Sequence, residues 1–429
     1  MCKALGKDIG RLTRRDDDGS DFRQELSAVT PNRLRLMFLV PFVPRADAAH
    51  GGRATTVVIR RLAERHDVAL LYLRESGTEP PDDVLLKACT IVEEVRLARR
   101  AKTVHRLGLA ASLTHGRPME AYRSASDEFR RRAQEVAARW KPDVVQAEMT
   151  RMAQYLPSVA GLARARVIVA YEADAASAAD AYAATRSTEK IFRAADLQAW
   201  RRYERATFAL ADAIVTFSER DREILQQVAG SPRVVTIPLR VEVPSVPYDP
   251  VGSSPPTVIF VGGFGHPPNV DAALRLAGRI FPDVRASCPD AQLEIVGPEP
   301  PRALRALAGD GVSILGRVPA VETHLDRAAV VAAPIALGGG VRVKVLEALA
   351  GGKAVVASRR AIEGIPVSDG REAIIVDSDE DFAAATIRLL RSPAERRRLA
   401  DAARTWSERH LDPGRSALDF EDLYESLLG

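Results

Sequence analysis

Short runs of apolar and β-branched residues alternate along this chain of 429 residues with longer amphipathic stretches rich in alanine, arginine and leucine. Continuous apolar runs of this length are typical of strands buried on both faces of a parallel sheet. The amphipathic stretches predict helices that cross from one parallel strand to the next. The predicted strands span 35–40, 68–73, 144–147, 167–170 and 213–217 in the first half, and 257–261, 292–296, 312–315, 329–333, 354–357 and 373–376 in the second. The pattern therefore predicts an α/β fold with two doubly wound, Rossmann-like domains.

A proline-rich stretch separates the two halves of this pattern. Six prolines lie between residues 238 and 256, and proline disrupts both a helix interior and a central strand. We therefore predict a linker over 241–256, between an N-terminal domain at 33–240 and a C-terminal domain at 257–413. The last amphipathic stretch, 414–429, lies outside the alternation of the second sheet, and we expect it to pack back on the N-terminal domain.

Composition and charge narrow the range of functions. Hydrophobic residues make up 46% and charged residues 28%, which is ordinary for a globular protein, and no run of about 18 apolar residues predicts a transmembrane helix. A net charge of +4 and an aromatic content of 5% argue against nucleic-acid binding. Three cysteines are too few for a disulfide framework or a zinc site. We expect a cytoplasmic protein with a disordered, charged tail over 1–32.

A glycine-rich segment, 334–352, carries the strongest chemical signal. It follows a predicted strand, passes through Gly338, Gly339 and Gly340, and opens a predicted helix. The start of a helix presents free N–H groups and the positive end of the helix dipole, which together attract anions. Glycines allow the backbone to approach a ligand closely. The segment therefore predicts an anion site.

Three charged side chains at this predicted helix start define the candidate ligand further. Arg342 and Lys344 supply two positive charges, as a diphosphate group requires. Glu347 lies one turn into the helix and can accept paired hydrogen bonds from a ribose diol. The alternative interpretation is that the glycines form a tight turn and that Lys344 and Glu347 make an ordinary surface ion pair.

The loop after the first strand of the second half is a second candidate site. Gly263 and Gly265 are followed by Pro268 where a dinucleotide-binding fingerprint has its third glycine, which weakens the case for a dehydrogenase. The loop still lies at the carboxyl end of a strand, where open α/β sheets bind ligands. For His266 and Asn269 two interpretations stay open, namely contact with a ligand, or a turn in which Asn269 caps the following helix.

Signals in the first half are weaker. Gly51 and Gly52 at a predicted helix start would allow an acceptor or a phosphate to approach closely, although a strand-to-helix turn also needs glycine. Tyr171 and Glu172 follow a predicted strand and either line a cleft or cap a helix. The basic residues between 96 and 106, and the run 130–132, are typical of a solvated helix face, with contact to an anionic membrane surface as the alternative. The motifs of serine hydrolases, P-loop proteins, zincins and EF-hands do not occur.

Taken together, these features resemble a retaining glycosyltransferase of family 4, which has the GT-B fold of two Rossmann-like domains facing across a cleft. Segment 334–352, with its Gly-Gly-Gly-x-Arg-x-Lys-Val-Leu-Glu-Ala sequence, resembles the donor-site signature of that family. The resemblance extends over about residues 33–429, and its accompanying segments are 51–52, 62–68, 211–218, 261–269, 314–319 and 363–364.

The resemblance implies a role for each candidate residue. Glu347 would hold the ribose hydroxyls of a nucleotide sugar, while Arg342 and Lys344 would neutralise the diphosphate, so that no metal or other cofactor is expected. These three residues are the predicted catalytic group. The other predicted donor-binding residues are Gly263, Gly265, Gly316, Val318, Gly338, Gly339, Gly340 and Val341. The predicted acceptor side of the cleft contains Gly51, Gly52, Tyr171 and Glu172.

Two positions depart from the usual family pattern. Gly339 occupies the position of the first glutamate of the Glu-x₇-Glu motif, and Tyr171-Glu172 lies where a histidine is frequent. The implied reaction transfers a sugar from a nucleoside diphosphate to a hydroxyl of a glycan, a lipid-linked molecule or a small molecule, with peripheral contact at the inner face of the membrane as a further expectation. A non-catalytic nucleotide-sugar-binding protein and a GT-B-like sugar-nucleotide epimerase are the alternatives.

Overall fold

The computed structural model describes residues 33–45, 51–75, 78, 80–97, 108, 110–185, 189–228 and 233–429. The predicted tail at 1–32 and most of the basic stretch near residue 100 lie outside these ranges. The described residues form two parallel sheets, one in each half of the chain.

The first sheet has seven strands in the order β3-β2-β1-β4-β5-β6-β7, and all neighbouring strands run parallel. The strands are β1 (Arg35–Val40), β2 (Asp67–Arg74), β3 (Ile91–Arg96), β4 (Val144–Glu148), β5 (Ala165–Ala170), β6 (Ala213–Thr216) and β7 (Arg233–Thr236). The strand order reverses between β1 and β4, so the loops that follow these two strands diverge at the carboxyl edge of the sheet.

The second sheet has six strands in the order β10-β9-β8-β11-β12-β13, also parallel. The strands are β8 (Thr257–Val261), β9 (Gln292–Val296), β10 (Val312–Gly316), β11 (Val330–Ala333), β12 (Val355–Ala357) and β13 (Ile374–Ile375). Here the order reverses between β8 and β11. The two candidate loops of the C-terminal half follow these two strands, and the fold therefore places them side by side.

Helices connect the strands of both sheets. In the first half they are α1 (Gly51–Arg65), α2 (Asp83–Ala88), α3 (Met119–Arg123), α4 (Asp127–Trp140), the 3₁₀ helix Thr150–Val159, α5 (Asp174–Ala184), α6 (Lys190–Phe208) and α7 (Glu219–Gln226). In the second half they are α8 (Pro267–Arg275), α9 (Phe281–Ser287), α10 (Arg302–Arg305), α11 (Val321–Arg327), α12 (Val343–Ala350), α13 (Asp379–Arg391), α14 (Pro393–His410) and α15 (Pro413–Leu428), with a π turn at Leu276–Ile280. None of the described helices is both long and apolar enough to span a membrane.

Alternation along β1 shows how the first sheet is buried on both faces. Leu36, Phe38 and Val40 belong to one hydrophobic core, while Met37 and Leu39 belong to the core on the other face. Successive side chains of a strand point to opposite faces, so a continuous apolar run is what a strand covered on both sides requires. The predicted class of two doubly wound α/β domains is confirmed.

The last helix, α15, packs against α1 of the N-terminal domain although it follows the C-terminal domain along the chain. Phe420, Leu423 and Tyr424 are buried in the same core as Leu36 and Phe38 of β1. The chain therefore passes between the domains twice, once through the linker and once before α15.

Truncation of Tyr424 provides a test of this packing. Its ring is fully buried, and its hydroxyl donates a hydrogen bond of 2.6 Å to Oε1 of Gln146 on β4. Tyr424→Ala is expected to lower the free energy of unfolding by about 3–5 kcal/mol, because it leaves a cavity in the core. Tyr424→Phe keeps the ring and is expected to lower it by about 1–3 kcal/mol. Equal urea midpoints for wild type and Tyr424→Ala would show that the helix does not pack there.

Candidate functional site

The donor loop, defined here as residues 334–342, follows β11 and leads into α12. Gly338 and Gly340 adopt positive φ angles of 82° and 74°. L-residues with a side chain rarely adopt this backbone conformation, so these two positions require glycine. The loop lies at the point where the strand order of the second sheet reverses, which is where open α/β sheets bind ligands.

The glycines of the donor loop are also a point of close contact between the two domains. A Cβ atom on Gly340 would lie 2.6 Å from the carbonyl oxygen of Tyr171. A Cβ atom on Gly339 would lie 3.1 Å from Oγ of Ser177 and 3.3 Å from Cβ of Glu172. A side chain on Gly340 would collide with the backbone of the N-terminal domain, and one on Gly339 would be tightly packed against it. These glycines therefore allow the two domains to meet closely here.

Arg342 stabilises the donor loop from within. Its guanidinium group donates hydrogen bonds to the carbonyl oxygens of Leu337 at 3.1 Å and Gly338 at 2.9 Å, and a further one to that of Gly339. The side chain is buried, which lowers its pKa, and its Nε has no hydrogen-bond partner among the described residues. Arg342 thus keeps a buried positive charge beside three glycines.

Lys344 connects the donor loop to the loop after β8. Its Nζ donates a hydrogen bond of 2.6 Å to Oδ1 of Asn269 and lies 4.6 Å from the centre of the Phe260 ring. Burial lowers the pKa of Lys344 to about 7. The amide of Asn269 in turn donates a 2.8 Å hydrogen bond to the carbonyl oxygen of Gly263. The two loops that the sequence singles out are therefore joined by one hydrogen-bonded chain.

These contacts overturn two of the alternative interpretations. Asn269 does not cap a helix, because α8 begins at Pro267 with His266 as its N-cap, and Asn269 lies buried within the first turn. Lys344 does not form a surface pair with Glu347, because its ammonium group bonds to Asn269 instead. Asn269 and Lys344 are instead hydrogen-bonded to each other at the carboxyl edge of the second sheet.

Glu347 lies one turn into α12 and remains partly exposed. Its Oε1 is 3.8 Å from Nη1 of Arg53, which also lies 3.2 Å from Oε1 of Glu322. Burial is the main cause that raises the pKa of Glu347 to about 7. Arg53 comes from α1, just after Gly51 and Gly52, so the N-terminal domain places a guanidinium group against the predicted ribose-binding carboxylate. Sequence reasoning missed Arg53, for which the chain offers no motif.

Tyr171 is held by a buried polar network behind the cleft. Its hydroxyl donates a hydrogen bond of 3.1 Å to Oε2 of Glu148 and lies in hydrogen-bond contact with Thr55. Gln146 donates a hydrogen bond of 2.6 Å to the other oxygen of Glu148. Burial raises the pKa of Glu148 to about 7. Sequence reasoning missed Glu148, although Gln146-x-Glu148 within an otherwise apolar strand is a usable signal.

The raised pKa of Glu148 predicts a pH-dependent contribution to stability. A carboxyl group whose pKa in the folded state exceeds its unfolded value of 4.5 destabilises the fold increasingly as the pH rises from 4.5 through 7. Glu148→Gln is therefore expected to raise the free energy of unfolding by about 1–3 kcal/mol at pH 8 and to change it little at pH 5. Urea unfolding at both pH values measures this, and an equal difference at the two would contradict the assignment.

Glu172 lies directly against the donor loop. Its Oε2 accepts a hydrogen bond of 3.1 Å from the backbone N–H of Gly339 and another from the hydroxyl of Ser177. Beside it, Ser218 and the backbone N–H of Ala173 both donate to Asp221. Sequence reasoning missed Ser177, which lies within the first turn of α5 and belongs to no recognisable motif.

The remaining predicted donor residues lie along the same edge of the C-terminal domain. Gly316 ends β10 with a φ of 67°, and its carbonyl oxygen accepts a 2.8 Å hydrogen bond from Gly297. Val318 packs on the core of the C-terminal domain, whereas Val341 packs on the cores of both domains. A Cβ atom on Gly265 would lie 3.5 Å from Oε2 of Glu299.

Ion pairs and cavities surround the junction of the domains. Nε of Arg220 on α7 lies 3.0 Å from Oε1 of Glu363, and the guanidinium group of Arg360 forms an ion pair with Asp180 of α5. A cavity of about 520 Å³ opens beside Leu337, and one of about 740 Å³ opens beside Arg53 and Glu322. Across the described part of the chain, no group of three or more His, Cys, Asp or Glu side chains is arranged to hold a metal ion.

Comparisons with known proteins match the sequence of the C-terminal half and the fold of the chain. Residues 255–392 match the sequence model of the family described as Glycosyl transferases group 1. No curated protein matches the chain by sequence. Sucrose-phosphate synthase from Thermosynechococcus elongatus superimposes with a TM-score of 0.69 at 17% identity, over 92% of this chain and 99% of that chain.

Two further solved structures share this fold. HepE from Anabaena, in complex with UDP and glucose, gives a TM-score of 0.61 at 12% identity, over 92% of this chain and 100% of that chain. WaaG, a glycosyltransferase involved in lipopolysaccharide biosynthesis, gives a TM-score of 0.64 at 15% identity, over 91% of this chain and 99% of that chain. The predicted GT-B fold is confirmed, and with its C-terminal domain matching group 1, the chain is a glycosyltransferase.

Proposed function

We propose that this enzyme transfers a sugar from a nucleoside diphosphate sugar to an acceptor hydroxyl, with retention of the anomeric configuration as in family 4. One observation carries the proposal: Arg342 and Lys344 lie at a glycine-lined helix start, with Glu347 one turn further on, in a domain that matches group 1 glycosyltransferases. The Gly-Gly-Gly-x-Arg-x-Lys sequence, through its likeness to that family, supports the retaining mechanism.

The proposed roles follow from the charges. Glu347 accepts hydrogen bonds from the ribose hydroxyls, and the Gly316–Val318 loop lies beside the base. As the bond between sugar and phosphate breaks, negative charge grows on the leaving diphosphate. Arg342 and Lys344 stabilise that charge. Because Arg342 is buried and Lys344 is partly buried and desolvated, their effect exceeds that of the same charges in water.

UDP is the first donor nucleotide to test. HepE, which shares the fold over 92% of this chain, was solved in complex with UDP and glucose. In the proposal Arg342 and Lys344 take the charge-neutralising role, so no metal cofactor is required. For the acceptor, the three alternatives predicted from the sequence stay open, namely a glycan, a lipid-linked molecule or a small molecule.

Contact with a membrane stays a prediction. In the run 130–132, Arg130 forms an ion pair with Asp127, and Nη1 of Arg132 lies 3.6 Å from Oε2 of Glu93. Pairing with neighbouring carboxylates is typical of a solvated helix face. The remaining basic residues of interest, between 99 and 106, lie outside the described residues.

A panel of nucleotide sugars tests the proposed function. Thermal-shift measurements with UDP-, GDP-, ADP- and TDP-sugars select the base, because a ligand that binds only the folded state raises the apparent stability. Turnover of the selected donor is then measured with and without acceptor candidates. Transfer or slow donor hydrolysis supports the proposal, binding without turnover indicates a binding protein, and conversion to another nucleotide sugar indicates an epimerase.

A further inference from the structure

One guanidinium group of the N-terminal domain faces two carboxylates of the C-terminal domain. Nη1 of Arg53 on α1 donates a hydrogen bond of 3.2 Å to Oε1 of Glu322 on α11, and it lies 3.8 Å from Oε1 of Glu347 on α12. In this three-residue cluster a single positive charge lies close to two negative charges. Because α1 belongs to one domain and the other two helices belong to the other, the cluster exists only where the domains meet.

Packing at the start of α1 determines where Arg53 leaves the backbone. A Cβ atom on Gly52 would lie 3.2 Å from Cε2 of Phe42, so this glycine lets the start of the helix lie close against the loop after β1. The carbonyl oxygen of Gly52 accepts a hydrogen bond of 2.7 Å from Oγ1 of Thr56, one turn further along the helix. Arg53 therefore extends toward α12 from a well-packed helix start.

Arg53 leaves the hydrogen-bonding capacity of Glu347 free. A separation of 3.8 Å is longer than a hydrogen bond, and none of the described residues donates a hydrogen bond to the Glu347 carboxylate. Both of its oxygens are therefore able to accept hydrogen bonds from the two hydroxyl groups of a ribose. Arg53 brings a positive charge close to Glu347, while its own hydrogen bond is made to Glu322.

The groups around Glu347 act on its charge in opposite directions. Burial raises its pKa most, and the positive charge of Arg53 is the largest influence that lowers it. The like charge of Glu322 raises the pKa further, and Lys344 lowers it by less than Arg53 does. Tyr248 of the linker also faces the cluster, but burial raises the pKa of its hydroxyl to about 12, so that it is neutral. Among the described residues, Arg53 thus contributes most to keeping this carboxylate charged.

We propose that Arg53 is a positioning residue that keeps Glu347 ionised for donor binding, so that the N-terminal domain controls how tightly the C-terminal domain holds the ribose. This inference rests on the proposed function, because it takes Glu347 as the carboxylate that accepts the ribose hydroxyls. An ionised carboxylate accepts hydrogen bonds at both oxygens, whereas the protonated acid has lost part of that capacity and forms weaker bonds. Without Arg53, burial and the charge of Glu322 would favour the protonated acid near neutral pH.

The test measures the Kd of UDP, or of the nucleotide that the panel selects, by calorimetry at pH 6 and pH 8 for wild type, Arg53→Gln and Arg53→Lys. Proteins are compared at one pH at a time, so that the titration of the nucleotide itself cancels. The measurements are repeated with the 2′,3′-dideoxy form of the nucleotide, which lacks both ribose hydroxyls.

Arg60→Gln is the matched control for these variants. Arg60 lies on the same helix, and its side chain is 25% exposed against 31% for Arg53. Its Nη2 lies 3.3 Å from Oε1 of Glu242 in the linker, so the substitution also breaks an ion pair between α1 and a segment outside the N-terminal domain. Far-UV circular dichroism checks that every variant folds.

Arg53→Gln is expected to weaken UDP binding about tenfold at pH 6 and about twofold at pH 8, as for a rise of about one unit in the pKa of Glu347 from its value of about 7. The loss is larger at pH 6 because a higher pKa extends the range in which the acid form prevails. Arg53→Lys keeps the charge, and both it and Arg60→Gln should stay within about threefold of wild type at both pH values. The dideoxy nucleotide should bind wild type and Arg53→Gln equally.

Three outcomes would overturn the inference while the proposed function stands, given that wild type binds the nucleotide and Glu347→Ala weakens that binding. In the first, the ratio of Kd between Arg53→Gln and wild type is the same at both pH values. In the second, Arg53→Gln binds more tightly, which would mean that Arg53 blocks Glu347 in the free protein. In the third, Arg53→Gln loses as much affinity for the dideoxy form, which would place Arg53 against another part of the donor. If wild type binds no nucleotide or nucleotide sugar, the proposed function itself fails, and the inference fails with it.

Discussion

Replacing Arg342 or Lys344 by alanine is expected to lower turnover by about a hundredfold or more, the scale measured for the loss of one electrostatic donor. The diphosphate gains negative charge as the sugar leaves, so the stabilisation by these cations is stronger in the transition state than in the ground state. Transfer, or donor hydrolysis where no acceptor is known, is measured for each variant with and without EDTA. A chelator is expected to have little effect on wild type.

Controls separate catalysis from folding. Lys344→Met keeps the length and packing of the side chain while removing its charge, and far-UV circular dichroism checks that each variant folds. Arg388→Ala removes an exposed arginine on α13, with 55% of its side chain exposed, and should retain wild-type turnover. Full activity of the Arg342 and Lys344 variants, together with complete loss under EDTA, would show that a metal carries the leaving group.

Glu347→Ala is expected to weaken nucleoside diphosphate binding by about 2 kcal/mol or more, or roughly thirtyfold, because it removes hydrogen bonds to a charged acceptor. Folding should change little, because the only ion pair of Glu347 among the described residues, with Arg53 at 3.8 Å, contributes at most about 1 kcal/mol. Calorimetric titration with UDP, or with the nucleotide that the panel selects, measures the loss.

Glu322→Ala is the matched control for this variant. Glu322 lies 3.2 Å from the same Arg53 guanidinium, so its removal breaks an ion pair across the cleft without touching the proposed ribose carboxylate. Glu322→Ala should bind the nucleotide within about threefold of wild type, as expected for a partly exposed ion pair. Equal affinity of folded Glu347→Ala and wild type would remove Glu347 from the donor site.

The sequence predicts the buried strands well because each is apolar on both faces, as in the run Arg35–Val40. It does not predict β3, where Glu93 and Glu94 interrupt the apolar pattern. That strand lies at the edge of the sheet, and its carboxylates are paired there, for example Glu94 with Arg74 at 3.0 Å. The short edge strand β7 is not predicted for a similar reason, since Val234 is its only buried residue.

The candidate site is predictable from the sequence where its functional residues lie close together along the chain. Glycines, two cations and a carboxylate within ten residues mark the donor loop from the order of amino acids alone. The contacts of those residues are not predictable in this way, because the bond of Lys344 to Asn269 and the bond of Gly339 to Glu172 join positions far apart in the sequence. Only the fold reveals that a glycine at 339 faces a carboxylate from the other domain.

Proton NMR of the reaction mixture tests the proposed retaining transfer most directly. With the selected nucleotide sugar and an acceptor, the anomeric signal of the donor is expected to decline while free nucleoside diphosphate and a product of the same anomeric configuration accumulate. A product of inverted configuration would contradict the retaining mechanism. An unchanged donor, or its conversion into a different nucleotide sugar with no diphosphate released, would contradict the assignment of this site to sugar transfer.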